Sequence, residues 1–277
     1  MAQTKPQWPA RSSAELIERL QYFSPAARNV LALGRECGSA VPELRRRFAA
    51  ATILAIDTRP EALRPAARRW RRWPALWRRS PAAACAEPSR LPLKSQSIDL
   101  LLSNLCFARS APPDAVLQEL ARVLDEGGLL LLSMLGPDTL RELRGAWSGI
   151  EQHAPLPEFP DMHQVGDALL RAGFAQPVVD REHLQLHYPD LPALLRELEE
   201  LGLLDPRSAR SGSGTPALVA SYERLRDADG LPATWEIIYG AAFGGRARAM
   251  ATAGTPGAEV LVPADRIRRR DASGPKA

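Results

Sequence analysis

The chain has 277 residues, 45% of them hydrophobic, and a formal net charge of +4. That apolar share builds a globular core and excludes an intrinsically disordered chain, while so small a basic excess does not by itself argue for nucleic acid. Three widely spaced cysteines, Cys37, Cys85 and Cys106, give neither a disulfide framework nor metal-ligand spacing.

The elements follow in chain order. Ser12 or Ser13 caps a helix over residues 14–23. NVLAL (29–33) is a buried strand, VPELRRRFA a helix, and ATILAID (51–57) a second strand. RPEALRPAARRW is a helix that Pro65 limits or kinks. PAAACAE (81–87) is a weak third strand. SIDLLLSN (97–104) is apolar on both faces and therefore central. PDAVLQELARVL is an amphipathic helix ended by a turn at Asp125–Gly128, and LLLLSML (129–135) is the fifth strand. This alternation of short apolar runs with amphipathic ones implies β-α-β units on a parallel sheet. Two helices (137–147 and 162–173), a strand (176–188), two more helices around a Ser/Gly-rich loop (207–215) and a final strand (233–243) complete the pattern. The expected organisation is an N-terminal helix or arm (1–28), one domain (29–244) with insertions near 137–162 and 189–230, and a disordered tail (245–277). No run reaches the ~18 apolar residues of a membrane helix, and the start lacks a signal core. With no disulfide pattern, the expected location is the cytoplasm.

Chemistry is sought first where the chain leaves the first strand. In doubly wound sheets ligands sit at the C-terminal ends of the strands, and the first loop is rich in glycine so that backbone can approach them. Here Gly34 and Gly38 stand at the outer spacing of such a loop, a pattern that equally describes a tight strand-to-helix turn. Asp57 ends the second strand, where a carboxylate suits a ribose diol; the cap of the helix from Pro60 is the lesser alternative. Glu87, after the third strand, is either an adenine-side acid or an exposed loop carboxylate.

Residues 97–147 carry a resemblance. SIDLLLSNL and then ELARVLDEGGLLLLSMLGPDTLRELRGAW are similar to the fourth strand, helix and fifth strand of class I methyltransferases. GPDTLRELR followed by FPDMHQVGDALLRAGFAQPVVD resembles a narrower group, the malonyl-acyl-carrier-protein O-methyltransferases of biotin synthesis and the mitochondrial relatives that assist assembly of respiratory complex I. The likeness extends from about Val30 to Gly244. It implies an α/β, Rossmann-like sheet of seven strands with the last antiparallel, helices on both faces and a helical lid after strand five. It implies S-adenosyl-L-methionine as cofactor, with Gly34, Gly38, Asp57, Glu87 and Asn104 around it. It implies methylation of the free carboxylate of malonyl-acyl-carrier protein. A carboxylate calls for a cation, and Arg141 or Arg144, just after strand five, is the expected clamp; a solvated helix face beside Glu142 is the alternative.

Some positions depart from the pattern. Ala32 stands where an acid usually precedes the loop, and Arg35 and Glu36 replace small residues, with Glu36 at the middle glycine position. Ahead of the first strand no aromatic arm matching that of the group is recognisable. Phe107 and Arg109 follow the fourth strand where relatives place an aromatic and polar pair. The residues therefore leave a second reading open, a non-catalytic scaffold that keeps the sheet, and a third, a methyltransferase-fold enzyme with another substrate. Residues 64–79 interleave arginine with Trp70, Trp73 and Trp77, as an amphipathic helix packed on the sheet or a surface that steers an acidic carrier protein; nucleic acid is the weaker fit. His183 and His187 face the same way on a strand, but no acid or thiol at ligand spacing supports a metal.

Overall fold

Each of the five apolar runs in the first half is followed by a chain reversal that lays the next run parallel to it. The computed structural model describes residues 8–23, 25–70, 81–107, 112–148, 156–204 and 216–245. Its strands are β1 (Asn29–Gly34), β2 (Thr52–Asp57), β3 (Ala82–Cys85), β4 (Ile98–Asn104), β5 (Leu124–Leu135), β6 (Phe174–Tyr188) and β7 (Leu231–Gly244). They form one sheet in the order β3-β2-β1-β4-β5-β7-β6. β1 to β5 are parallel, and β7 runs antiparallel to both β5 and β6. The order reverses between β1 and β4, where such a sheet opens a crevice at its carboxyl edge.

The helices are α1 (Trp8–Arg19), α2 (Cys37–Arg47), α3 (Pro60–Trp70), α4 (Pro113–Val123), α5 (Arg141–Ser148), α6 (Met162–Ala172), α7 (Leu191–Glu200) and α8 (Pro216–Glu223). Alternate residues of β1 divide between two cores. Val30 and Ala32 join Leu44, Leu63, Trp147 and Trp235, under α2, α3 and α5. Leu31 and Leu33 join Leu117, Leu120 and Leu169, under α4 and α6. This is the helices-on-both-faces arrangement that two-sided burial of β1 and β4 requires. α6 begins with a capping box, Asp161 accepting from the Gln164 backbone N–H at 2.8 Å while the Gln164 side chain accepts from the Asp161 N–H at 2.9 Å.

Two local expectations are corrected. Ser12 and Ser13 do not cap the first helix; α1 already runs from Trp8, and both serines are buried within it. The turn at Asp125–Gly128 is part of β5, which starts at Leu124 and shifts register against β4 between Ile98 and Leu100. A bulge absorbs the three extra residues there, with Gly127 at φ +74°. Pro65 lies inside α3 without ending it. The Ser/Gly-rich loop 207–215, Trp73, Trp77, Arg109 and the tail from 246 lie outside the described residues. Among the described residues no helix is long and apolar enough to cross a membrane.

Candidate active site

The β1–α2 loop is shaped by its neighbours as much as by any ligand. Gly34 sits at φ +87°, and a Cβ there would collide with the Asn104 carbonyl oxygen and lie 2.8 Å from Cys106 Cβ. The Arg35 N–H donates to that same carbonyl at 2.8 Å. A Cβ on Gly38 would lie 2.8 Å from Ala66 Cβ of α3. Between them Glu36 adopts φ +55°, ψ +17°, the left-handed conformation a glycine would take freely. The loop therefore keeps the backbone path of a glycine-rich turn although its middle residue has a side chain. Glu36→Gly is expected to stabilise the fold by about 1 kcal/mol through relief of that conformation, read as a higher midpoint in urea or heat.

Two cavities open at this edge of the sheet. The larger, about 1350 Å³, is bounded by Arg35–Ser39, Asp57, Arg59, Trp70 and the α7 residues Glu197 and Glu200. The smaller, about 70 Å³, is mostly apolar, with Trp8, Leu105, Phe107, Met134 and Phe159 in its walls. Arg35 and Leu201 line both.

The cofactor residues expected from the sequence meet only in part. Gly38 and Asp57 line the larger cavity. Asp57 is 3% exposed, and its Oδ1 accepts from the Arg59 backbone N–H at 2.9 Å and from Arg59 Nε at 3.3 Å. One carboxylate thus closes the turn into α3 and still borders the cavity. Glu87 is exposed and lines neither cavity; its backbone carbonyl closes a turn with Arg90. Asn104, 3% exposed, has its side-chain amide committed within the protein. Its Nδ2 donates to the carbonyls of Pro9 (3.0 Å) and Arg35 (2.7 Å), and its Oδ1 accepts from the hydroxyls of Ser12 (2.9 Å) and Ser133 (2.7 Å). The amide is saturated, and it ties α1, the loop and β5 to the end of β4.

The arm that the sequence did not reveal is α1. Trp8 is 4% exposed, its ring centroid lies 4.3 Å from that of Trp235, and its Nε1 donates to Glu197 Oε1 at 2.7 Å. α1 thus brings an aromatic ring into the wall of the smaller cavity. Burial pushes the Glu197 carboxyl above its ordinary value, against the opposing pull of the Trp8 hydrogen bond. An acid raised in the folded state binds more protons than in the unfolded state, so stability falls as pH climbs from the ordinary glutamate range through the raised value. Glu197→Gln keeps an acceptor for Trp8 and is expected to flatten that fall, measured as unfolding free energy against pH.

Arg141 and Arg144 are carried on α5, which is pinned to β7 by the Gly-Pro-Asp-Thr segment ahead of it. Asp138 N–H donates to the buried Glu236 Oε2 at 2.8 Å, Leu140 N–H to the Thr234 carbonyl at 2.7 Å, and Thr234 N–H to Glu142 Oε2 at 2.9 Å. Each arginine has a local partner. Arg141 is 61% exposed beside Glu142. Arg144 donates to the Pro157 carbonyl at 2.7 Å and stacks 5.7 Å from the Phe159 ring, so it fixes a wall of the smaller cavity from behind. Neither lines a cavity. Arg59 and Arg196 line the larger cavity, and Arg35 lines both.

Other polar groups are accounted for locally. Acids unseen in the sequence do reach the two strand histidines: His183 Nε2 lies 3.1 Å from Asp138 Oδ2, and His187 Nε2 lies 3.0 Å from Asp227 Oδ2. Beside the first pair, Arg181 already holds Glu236 Oε1 at 3.1 Å. Burial keeps the Cys106 thiol protonated, pushed up to about 12, and raises Cys37 further. Neither is a thiolate nucleophile at neutral pH.

Comparisons with known proteins agree with this geometry. A family model described as a methyltransferase domain matches residues 31–132. The chain is 40% identical over 243 residues to a malonyl-[acyl-carrier protein] O-methyltransferase of Laribacter hongkongensis, covering 84% of this chain and 81% of that one. It is 35% identical to malonyl-[acyl-carrier protein] O-methyltransferase 1 of Coxiella burnetii, covering 95% of this chain and 89% of the relative. Among solved structures, phosphoethanolamine N-methyltransferase 2 of Haemonchus contortus in complex with S-adenosyl-L-methionine superposes with a TM-score of 0.55 at 17% identity, over 87% of this chain and 56% of that chain. The [4+2]-cyclase SpnF superposes with a TM-score of 0.50 at 20% identity, over 87% and 84% of the two chains. At these identities the structures show the fold alone, and the cyclase illustrates that the fold serves more than one reaction.

Proposed function

Because the chain belongs to the malonyl-[acyl-carrier protein] O-methyltransferase family, we propose that it methylates the free carboxylate of a malonyl group carried on an acyl carrier protein, a step of biotin synthesis. The observation that carries this reading is the meeting of two cavities at the carboxyl edge of the sheet, a large one of mixed polar and apolar lining and a small apolar one.

The larger cavity fits S-adenosyl-L-methionine. It has ample room, an acid at the end of β2 for a ribose diol, and a loop whose backbone keeps the glycine-type turn at Gly34 and Glu36. Asp57 and the Gly34–Gly38 backbone would hold this group, which supplies an electrophilic methyl on sulfur. The malonyl carboxylate is ionised at neutral pH, so the protein has no proton to remove. What remains for its residues is alignment and exclusion of water. Trp8, Phe107 and Phe159 wall the smaller cavity against solvent, and Arg144 holds the Pro157–Phe159 wall in place. Methylation removes the charge of the acyl end, which lets a chain-extending synthase treat it as an ordinary acyl group. Exposed Arg64 and Arg68 on α3, at the start of the basic stretch 64–79, offer an approach for the acidic carrier, while Trp70 is buried in the core.

The test is methyl transfer from labelled S-adenosyl-L-methionine to malonyl carrier protein, with acetyl carrier protein as the substrate lacking a free carboxylate. Label on the malonyl form alone is expected. A second reading, a scaffold that has lost the donor, is favoured by Glu36, whose side chain borders the cavity at the middle loop position. Absence both of transfer and of S-adenosylhomocysteine binding by calorimetry would select it.

A further inference from the structure

Arg35 is the cation common to both cavities. Its guanidinium is half-buried, and among the described residues its hydrogen-bond partner is the Glu200 carbonyl, 2.9 Å from Nη2. A guanidinium has five N–H donors in a fixed fork, so most of this one's capacity is uncommitted. Of the other arginines, Arg196 borders the larger cavity alone, from an exposed position on α7. Arg59 is paired with Asp57 at 3.3 Å, Arg144 is tied to the Pro157 carbonyl, and Arg141 points to solvent beside Glu142. Glu158, an acid on the wall of the apolar cavity, forms no ion pair with Arg35 among the described residues. Burial and the nearby Arg59 push the Arg35 guanidinium down to about 10, which leaves it charged at neutral pH.

We infer that Arg35 is a carboxylate receptor at the junction of the two cavities. A carboxylate presents two oxygens that match the guanidinium fork and satisfy donors otherwise left in a partly desolvated wall. Two carboxylates could reach it: the amino acid end of the donor, from the large cavity, or the free end of the acyl substrate, from the small one. The identity of these ligands rests on the methyltransferase reading; the receptor itself rests on the placement of Arg35.

Calorimetry on the full chain separates the sources, with wild type, Arg35→Gln and Arg35→Lys. Each is titrated with S-adenosylhomocysteine, with methylthioadenosine, which lacks the amino acid end, with malonyl-pantetheine and with its methyl ester. If the donor's carboxylate is held, Arg35→Gln weakens S-adenosylhomocysteine about 10- to 100-fold and leaves methylthioadenosine unchanged. If the acyl carboxylate is held, malonyl-pantetheine weakens by that factor while its ester and S-adenosylhomocysteine do not change. Arg35→Lys, which keeps charge but not the fork, is expected to fall between. A thermal midpoint near wild type establishes that the variants fold. The inference is overturned if Arg35→Gln shifts neither carboxylate ligand by more than about twofold, or if wild type binds neither. Arg35-dependent binding without methyl transfer by wild type would instead sink the proposed activity and leave the receptor standing.

Discussion

Gly34→Ala is expected to cost about 2–5 kcal/mol of folding stability, the sum of a left-handed conformation and an overpacked contact. Its φ of +87° disfavours any L side chain, and the new methyl would meet the Asn104 carbonyl, which is backbone and hydrogen-bonded to the Arg35 N–H. No rotamer change relieves that clash. Only separation of β1 from β4 does, and these are the two strands at the switch point. In a domain of this size the thermal midpoint should fall by roughly 5–20 °C. A loss under about 1 kcal/mol would show that the β1 and β4 ends part without cost, contrary to the packing described.

Asn104→Ala is expected to be comparably severe, about 2–5 kcal/mol, because it removes a buried amide that makes four side-chain hydrogen bonds, two of them to the Pro9 and Arg35 carbonyls. The Ser12 and Ser133 hydroxyls lie 3.1 Å apart and recover one contact between themselves. The expected signature is local as well as global: amide exchange in α1 should quicken more than in β4, because the lost bonds hold α1 and the loop rather than the ladder. Were Asn104 instead a contact for the donor, its loss would weaken S-adenosylhomocysteine and leave unfolding in urea nearly unchanged. The two outcomes separate the architectural role from the ligand role assigned by sequence.

The pattern of what could be read from the chain follows from how far apart the interacting residues lie. Strand and helix identities came from the spacing of apolar residues a few positions apart, and β1, β2, β4 and their helices need nothing more. Asp57 was legible because its place is set by the strand it ends. The elements misread depended on distant partners. Ser12 looked like a cap because its true neighbours, Asn104 and Ser133, are absent from any local window. Asp125–Gly128 looked like a turn because the bulge that accommodates it exists only against β4. Arg141 and Arg144 were placed at the correct edge, but the docking of Asp138, Leu140 and Glu142 onto β7 sets the rotation of α5, and that rotation decides where each guanidinium goes. The place of Arg35 is not legible locally, since its partner, the carbonyl of Glu200, belongs to an element much later in the chain.

The knot around Asn104 also has a meaning for the nascent chain. Trp8 emerges early in synthesis, yet Glu197 lies 189 residues further on. At translation rates of about 5–20 residues per second, the apolar face of α1 waits roughly 10–40 s for that partner to be made. Until then α1 can pack on α2 and β4, but the Trp8 indole lacks both its hydrogen-bond acceptor on α7 and its ring partner Trp235 on β7.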